Sequence, residues 1–371
     1  MKGKKRHFFA GGNTAYGFYS LFHYIPGKHR EQLFIIKGGP GTGKSSLMKR
    51  IGQLMAEEGH DIELFHCSSD QDSLDGMAVP SLGFAMVDGT APHVIDPTLP
   101  GAYDEIINLG SCWDSSLLRQ QKKEIALLIQ QNSSYFIQAY QYLKEAYTVM
   151  EKYRYLMADA MDYRGLTEMT ARLLGNLALT LPPSDQEPCE RHLFAGALTP
   201  GGLINYYPSI FQDITTLFLL TGDPGSGKSY LLEQVYNTVK RCGQDVEAYH
   251  CAFDPQKLDA VVIPSTATAF VKATYPHSFS VPPAVKEQHT VSISRYSRAE
   301  HLKRTAGERT ECHDRFWQLV GKAAEFIRKA KQNHDQLEKY YIQAVDFSRV
   351  NQIGEETLGK LLTCAQHEKV V

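Results

Sequence analysis

The sequence predicts an α/β chain built as two tandem domains, each a mainly parallel sheet carrying a helical extension. Three observations support this: a glycine-rich strand-to-helix motif that occurs twice, sequence blocks that recur at a nearly constant offset, and two long segments with helical spacing of apolar residues. At 371 residues, 43% of them apolar, the chain exceeds the length at which one hydrophobic core usually divides.

From the N-terminus, the leader "RHFFAGGNTAYGF" begins at Arg6 and returns as "RHLFAGALTPGGL" at Arg191. Thr14 and Thr199 stand where the N-cap of a short helix would. Next comes a short apolar run, "LFIIK", followed by "GGPGTGKSS" and a stretch with helical periodicity. "TLFLL", "GDPGSGKSY" and a second amphipathic stretch repeat that order in the later half. The block "HCSSDQDSLDGMAVPS" from His66 matches "HCAFDPQKLDAVVIPS" from His250, at a shift of 184. Farther along, "MEKYRYLMAD" from Met150 resembles "LEKYYIQAVD" from Leu337, at a shift of 187. Blocks in the same order at similar offsets indicate duplication of a whole unit.

The joint is placed in "TLPPSDQEPCE", residues 180–190, which is rich in Pro and polar residues. The domains expected are 1–185, with a helical part at about 115–180, and 186–371, with a helical part at about 300–365. Apolar residues recur at Phe136, Tyr140, Leu143, Tyr147 and Met150, and at Phe316, Leu319, Ala323, Phe326 and Ala330. A single rod across 115–163 would be roughly 70 Å long, so a hairpin broken near "QQNSS", residues 130–134, is expected. These helices are expected to cover their own sheet or each other, with a partner-binding arm as the other reading.

Each glycine motif fits G-x-x-x-x-G-K-[ST], the P-loop pattern. Gly38, Gly39, Pro40, Gly41, Thr42, Gly43, Lys44, Ser45 and Ser46 form the first. Gly222, Asp223, Pro224, Gly225, Ser226, Gly227, Lys228, Ser229 and Tyr230 form the second. Glycines let backbone N–H groups curl around phosphate oxygens, and the following helix N-terminus favours negative charge. Lys44 and Lys228 are expected to reach the β- and γ-phosphates, and Ser45 and Ser229 to ligate Mg²⁺. A nucleotide with Mg²⁺ is therefore the expected ligand.

The halves differ at the next strand. "LGFAMVDGTAPH" ends an apolar run in Asp88, a candidate metal carboxylate, whereas the aligned "ATAFVKATYPH" places Lys272 there. A cation at that position repels Mg²⁺ and has a phosphate as one partner. Asp70 and Asp75, with counterparts Asp254 and Asp259, are candidates for the group that orients attacking water, with turn or cap roles equally open. Arg295 and Arg298 are candidate arginine fingers toward the other half. His66, Cys67, His93 and their repeats are zinc-ligand types but match no standard zinc spacing; they are read as polar lining of the nucleotide pocket, with a metal site as the other reading.

The formal charge of -2 gives no overall footprint for nucleic acid or anionic membrane. Seven cysteines form no C-x-x-C pair, and no apolar stretch reaches 18 residues, so a cytoplasmic protein with reduced thiols is expected.

The paired loops, the "VDGTAPH" segment and the repeated leader resemble a bacterial family of duplicated P-loop ATPases found in spore-forming Firmicutes. The resemblance spans the whole chain and implies ATP binding and ATPase activity, carried by the two loops and Asp88. Lys272 departs from it, which makes the second site degenerate or regulatory. A P-loop small-molecule or nucleotide kinase and a non-hydrolysing, nucleotide-dependent switch or scaffold stay open beside the ATPase.

Overall fold

The computed structural model describes residues 2–368, with side chains through 362; Cys364 lies outside the described side chains. In the first half the chain forms β1 (Lys5–Phe9), β2 (Gly11–Thr14), β3 (Gly17–Ser20), β4 (Gln32–Lys37), α1 (Lys44–Glu57), β5 (Ile62–Cys67), β6 (Asp70–Val79), β7 (Phe84–Asp88) and β8 (Asp104–Asn108). Three helices follow: α2 (Ser115–Gln120), α3 (Lys122–Ala158) and α4 (Tyr163–Thr180). The second half repeats the order as β9 (Glu190–Phe194), β10 (Gly196–Thr199), β11 (Gly202–Asn205), α5 (Tyr207–Ile210), β12 (Thr216–Thr221), α6 (Lys228–Arg241), β13 (Val246–His250), β14 (Leu258–Ile263), β15 (Thr268–Lys272) and β16 (Glu287–Ser292). Its helices are α7 (Ala299–Arg304), α8 (Ala306–Ala344) and α9 (Phe347–Glu368).

Twelve strands make one mixed sheet in the order β16-β12-β15-β14-β13-β9-β1-β5-β6-β7-β4-β8. Outward from the centre, each half runs leader strand, second strand, antiparallel strand, third strand, loop strand, edge. The strand pairs within each half are mainly parallel, as expected, with β6 and β14 antiparallel to both neighbours. The expected pair of sheets is corrected, because the halves join edge to edge into one, where β1 and β9 meet antiparallel at Phe9 and Phe194.

Salt bridges reinforce that seam. Arg6 donates to Glu247 at 3.0 and 2.5 Å, and Arg191 donates to Glu63 at 2.8 and 2.5 Å. Both glutamates are buried, at 4% and 9% exposure for Glu63 and Glu247. Each arginine therefore neutralises a carboxylate encoded in the opposite half, in the bidentate geometry that makes such pairs strong. Beneath them, Phe8, Phe65, Leu193 and Tyr249 from both halves share one apolar core with Phe22, Tyr207 and Phe211.

The leaders correct a second expectation. Thr14 and Thr199 end the first strands of two β-hairpins, β2–β3 and β10–β11, and cap no helix. Each hydroxyl donates to the carbonyl three residues on, Gly17 or Gly202, and accepts the N–H two residues on, Tyr16 or Gly201. This is the local turn chemistry of Ser and Thr, which also underlies capping, so composition alone does not separate the two.

The long helices correct a third. α3 runs unbroken for 37 residues through 130–134, roughly 55 Å, so no hairpin forms there. Polar residues without Gly or Pro do not stop a helix that has a partner along its length. That partner is α8, 39 residues long. Ala139, Leu143, Ala146 and Met150 are buried with Phe316, Leu319, Ala323 and Ile327 in one cluster, along the stripe read from the sequence. The helices cover each other, and they do so across the halves.

The ends of these arms are exchanged. Beyond α3, Asp162 N–H bonds Tyr296 O at 2.6 Å and Arg298 N–H bonds Ala160 O at 2.7 Å. Beyond α8, Asp114 N–H bonds Ala344 O and Asp346 N–H bonds Cys112 O, both at 2.7 Å. As a result α4 packs on α6 of the second half, and α9 lies against α1 of the first, where Leu361 and Val350 join the core of Leu47 and Ile51. The matching bonds fix the repeat register at 184, with Asp162 and Asp346 as equivalents. The resemblance at 187 is therefore a three-residue slip along a helix, which returns a side chain to nearly the same face.

Candidate functional site

Both glycine motifs sit where the sequence placed them, between a strand and a helix, each strand being next to an edge of the sheet. β4 lies between β7 and β8, parallel to both, and β12 lies likewise between β15 and β16. Gly43 and Gly227, at φ 86° and 108°, are the N-caps of α1 and α6. Only glycine adopts that left-handed turn without steric cost, and it aims the loop N–H groups and the helix end at one spot. Inside the first loop Lys44 Nζ donates to Gly38 O and Gly39 O, both at 2.8 Å. In the second, Lys228 Nζ donates to Gly222 O and to Asp223 O. Thr42 is buried and bonds Gly39 O at 2.9 Å.

The neighbouring strands set the two sites apart. Asp88 ends β7 opposite Ile36, and its Oδ2 lies 3.5 Å from Lys44 Nζ. Its other oxygen accepts the Thr90 N–H at 2.9 Å, so the turn and ion-pair roles coexist. Ser45 Oγ accepts the Leu74 N–H at 2.9 Å, which leaves a further lone pair for an ion. Ser45 and Asp88 therefore fit a hard, oxygen-coordinated cation such as Mg²⁺. In the second half Lys272 is buried and donates to Asp259 Oδ1 at 2.7 Å. A carboxylate is its partner, and an ammonium stands where the first half has Asp88.

The same exchange divides two equivalent aspartates electrostatically. Burial pushes the Asp75 carboxyl up to about 6; His93 opposes the rise and the Asp88 charge adds to it. Burial acts on Asp259 in the same direction, but His277 and Lys272 outweigh it and hold that carboxyl below its ordinary value. Burial lowers Lys228 to about 7, with repulsion from Lys272 second.

Arm residues complete the surroundings, and sequence reasoning missed them. At the first loop, a Cβ on Gly39 would lie 2.8 Å from Tyr341 and 3.0 Å from Trp113, and one on Gly41 would lie 2.8 Å from Ile342. At the second, a Cβ on Gly225 would lie 2.7 Å from Arg154 Cα. Arg154 bonds the buried Asp254 at 3.1 Å, and Arg309 bonds Asp223 Oδ2 at 3.1 Å. Tyr341 and Ile342 come from the second half, and Arg154 comes from the first. Each loop is covered by the other half's arm, and Arg154 and Arg309 stand against the second.

The remaining candidates are dispersed. Asp70 is engaged by Lys331 of α8 at 3.3 Å and by Ser73 at 2.9 Å, while Asp75 lies in the buried ground beside Asp88. Arg298 reaches the opposite half, but through the carbonyl of Met161 at 3.4 Å, and Arg295 lies in the turn at 293–296. His66 pairs with His7 at 2.8 Å and His192 with His250 at 2.9 Å, so His66 and His250 belong to the seam of the sheet. Cys67 and His93 stay near the first loop. Among the described residues the six cysteines are free, and no helix is long and apolar enough to cross a membrane.

No family model, curated protein or solved structure matches the chain.

Proposed function

We propose that the chain consists of two tandem P-loop NTPase units and acts as an ATP-binding, Mg²⁺-dependent ATPase. Its first loop turns nucleotide over, and its second holds nucleotide without cleaving it. The observation that carries this reading is the contrast at one strand position: Asp88 beside Lys44 in the first half, Lys272 locked on Asp259 in the second.

At the first site, the Lys44 ammonium, held by the carbonyls of Gly38 and Gly39, would turn to phosphate oxygens, and Ser45 and Asp88 would hold Mg²⁺, which would supply charge stabilisation for a transferring phosphoryl group. Asp70 and Asp75 are the candidate carboxylates for exchanging a proton with attacking water. At the second site, Lys228 lies among Lys272, Arg154 and Arg309, which are paired with Asp259, Asp254 and Asp223, and no carboxylate stands at the position of Asp88. That arrangement suits binding of a polyphosphate more than its cleavage. Because each loop lies under the opposite arm, nucleotide at one loop bears directly on helices rooted in the other half.

The test is nucleotide titration and phosphate release by wild type, Lys44→Ala and Lys228→Ala. Two binding sites are expected, with turnover lost in Lys44→Ala and retained in Lys228→Ala. Turnover that survives Lys44→Ala and stops in Lys228→Ala would reverse the assignment. ADP formation only when an acceptor is added would make the protein a kinase, and binding without turnover would make it a switch.

A further inference from the structure

We propose that Cys67, Asp75 and His93 bind a divalent transition metal of the zinc type, in addition to any ion carried by nucleotide. Cys67 closes β5, Asp75 lies in the middle of β6, and His93 follows β7, so three successive strands deliver one ligand each. One donor atom from each side chain lies within 4.8 Å of the other two. Asp75 and His93 are 4% and 8% exposed. The Asp75 oxygen that faces His93 has no hydrogen-bond partner, and the 3.5 Å gap to His93 Nε2 is longer than a hydrogen bond. His93 stacks on Phe22, with ring centroids 4.5 Å apart, which fixes the imidazole plane. Buried carboxylate oxygens are ordinarily hydrogen-bonded, so one without a hydrogen bond, at ion-pair distance from an imidazole and near a thiol, suits a bound cation.

The second half contains the control. Cys251, Asp259 and His277 repeat the three residue types, and there a cation is built in. Lys272 Nζ sits 2.7 Å from Asp259, and His277 lies 3.6 Å from the other oxygen of the same carboxylate. At the matching position the first half carries Asp88, which supplies no ammonium. Nitrogen, oxygen and sulfur donors together suit Zn²⁺ or Co²⁺ and not Mg²⁺, which takes oxygen ligands. Three protein ligands leave a fourth position for water.

Titration of the metal-free full-length chain with Co²⁺, without nucleotide, tests this. One equivalent is expected to bind with a thiolate-to-cobalt charge-transfer band. Cys67→Ser should lose the band and bind at least about tenfold more weakly, while Cys251→Ser and Lys44→Ala retain it. Asp88→Lys, which copies the second half, should abolish binding, and Lys272→Asp should raise the stoichiometry from one to two. Circular dichroism establishes that each variant is folded. Absence of binding, a band that survives Cys67→Ser, or a band lost in Cys251→Ser overturns the proposal. Metal held by Asp75 leaves Asp70 as the candidate proton acceptor; the cobalt readout needs no nucleotide, and turnover is measured separately.

Discussion

Arg6 and Glu247 are joined by two parallel hydrogen bonds of 3.0 and 2.5 Å across the seam between the halves. With Arg191 and Glu63 forming the reciprocal pair, the seam is ionic at a point where only one backbone pairing, Phe9 with Phe194, links β1 to β9. Removing one partner leaves a buried charge exposed to its own desolvation cost. Arg6→Ala is therefore expected to lower stability by about 3 kcal/mol, measured by denaturant unfolding. Arg6→Ala combined with Glu247→Leu should recover part of that loss. A single variant as stable as wild type would show that the pair contributes nothing.

Acid should weaken the protein in two stages. Burial lowers His66 and His192 from 6.5 to about 4. Their contribution is present above pH 6.5 and is lost as pH falls toward 4, because the unfolded chain then binds protons that the folded one refuses. Burial alone would raise Glu247, but Arg6 outweighs it and holds the carboxyl at about 2 instead of 4.5. Its contribution disappears between pH 4.5 and 2. Unfolding free energies measured across this range should fall first in the histidine window, and His192→Gln should flatten that first decline.

Asp88→Asn should leave the fold intact and reduce phosphate release on the order of ten- to a hundredfold, the range typical of groups that orient a bound metal. Nucleotide affinity without Mg²⁺ should change little. Steady-state kinetics with varied Mg²⁺ separates the two effects, and an unchanged rate would remove Asp88 from the proposed site.

Alanine at two equivalent glycines should have unequal effects. At Gly225, with φ +87°, a Cβ would meet the backbone of Arg154, whereas at Gly41, with φ +66°, it would mainly meet the side chain of Ile342. A side chain can turn aside and a backbone cannot. Gly225→Ala is expected to cost about 2 kcal/mol or more and Gly41→Ala less, by thermal or denaturant unfolding.

Arg154→Ala should weaken nucleotide binding at the second loop although Arg154 is encoded in the first half. Titration in a Lys44→Ala background isolates that site. Affinity equal to that of Lys44→Ala alone would mean that the arm shields the loop without contributing to binding.

What could be read from the sequence was local. The loops, α1, α6, the strand ending at Asp88 and the apolar stripe through Leu143 and Met150 each follow from residue spacing within a short window. Crossing of the arms could not be read in that way, because α3 presents the same stripe whether it packs on its own sheet or on α8. Thr14 was misplaced because one hydroxyl geometry serves both hairpin turns and helix caps. Lys272 was visible as a substitution, but its partner Asp259 became identifiable only once β14 and β15 were paired side by side.

Since α3 and α4 close over the second loop and α8 and α9 over the first, neither site is inherited as a contiguous stretch of chain. Two identical chains exchanging arms would present the same cover to both loops. A single chain frees the covers to differ, and at one matching pair of positions they are Arg154 and Glu338. Specialisation of one loop can thus be recorded in the text of the other half, and a substitution's position along the chain does not reveal which loop will register it.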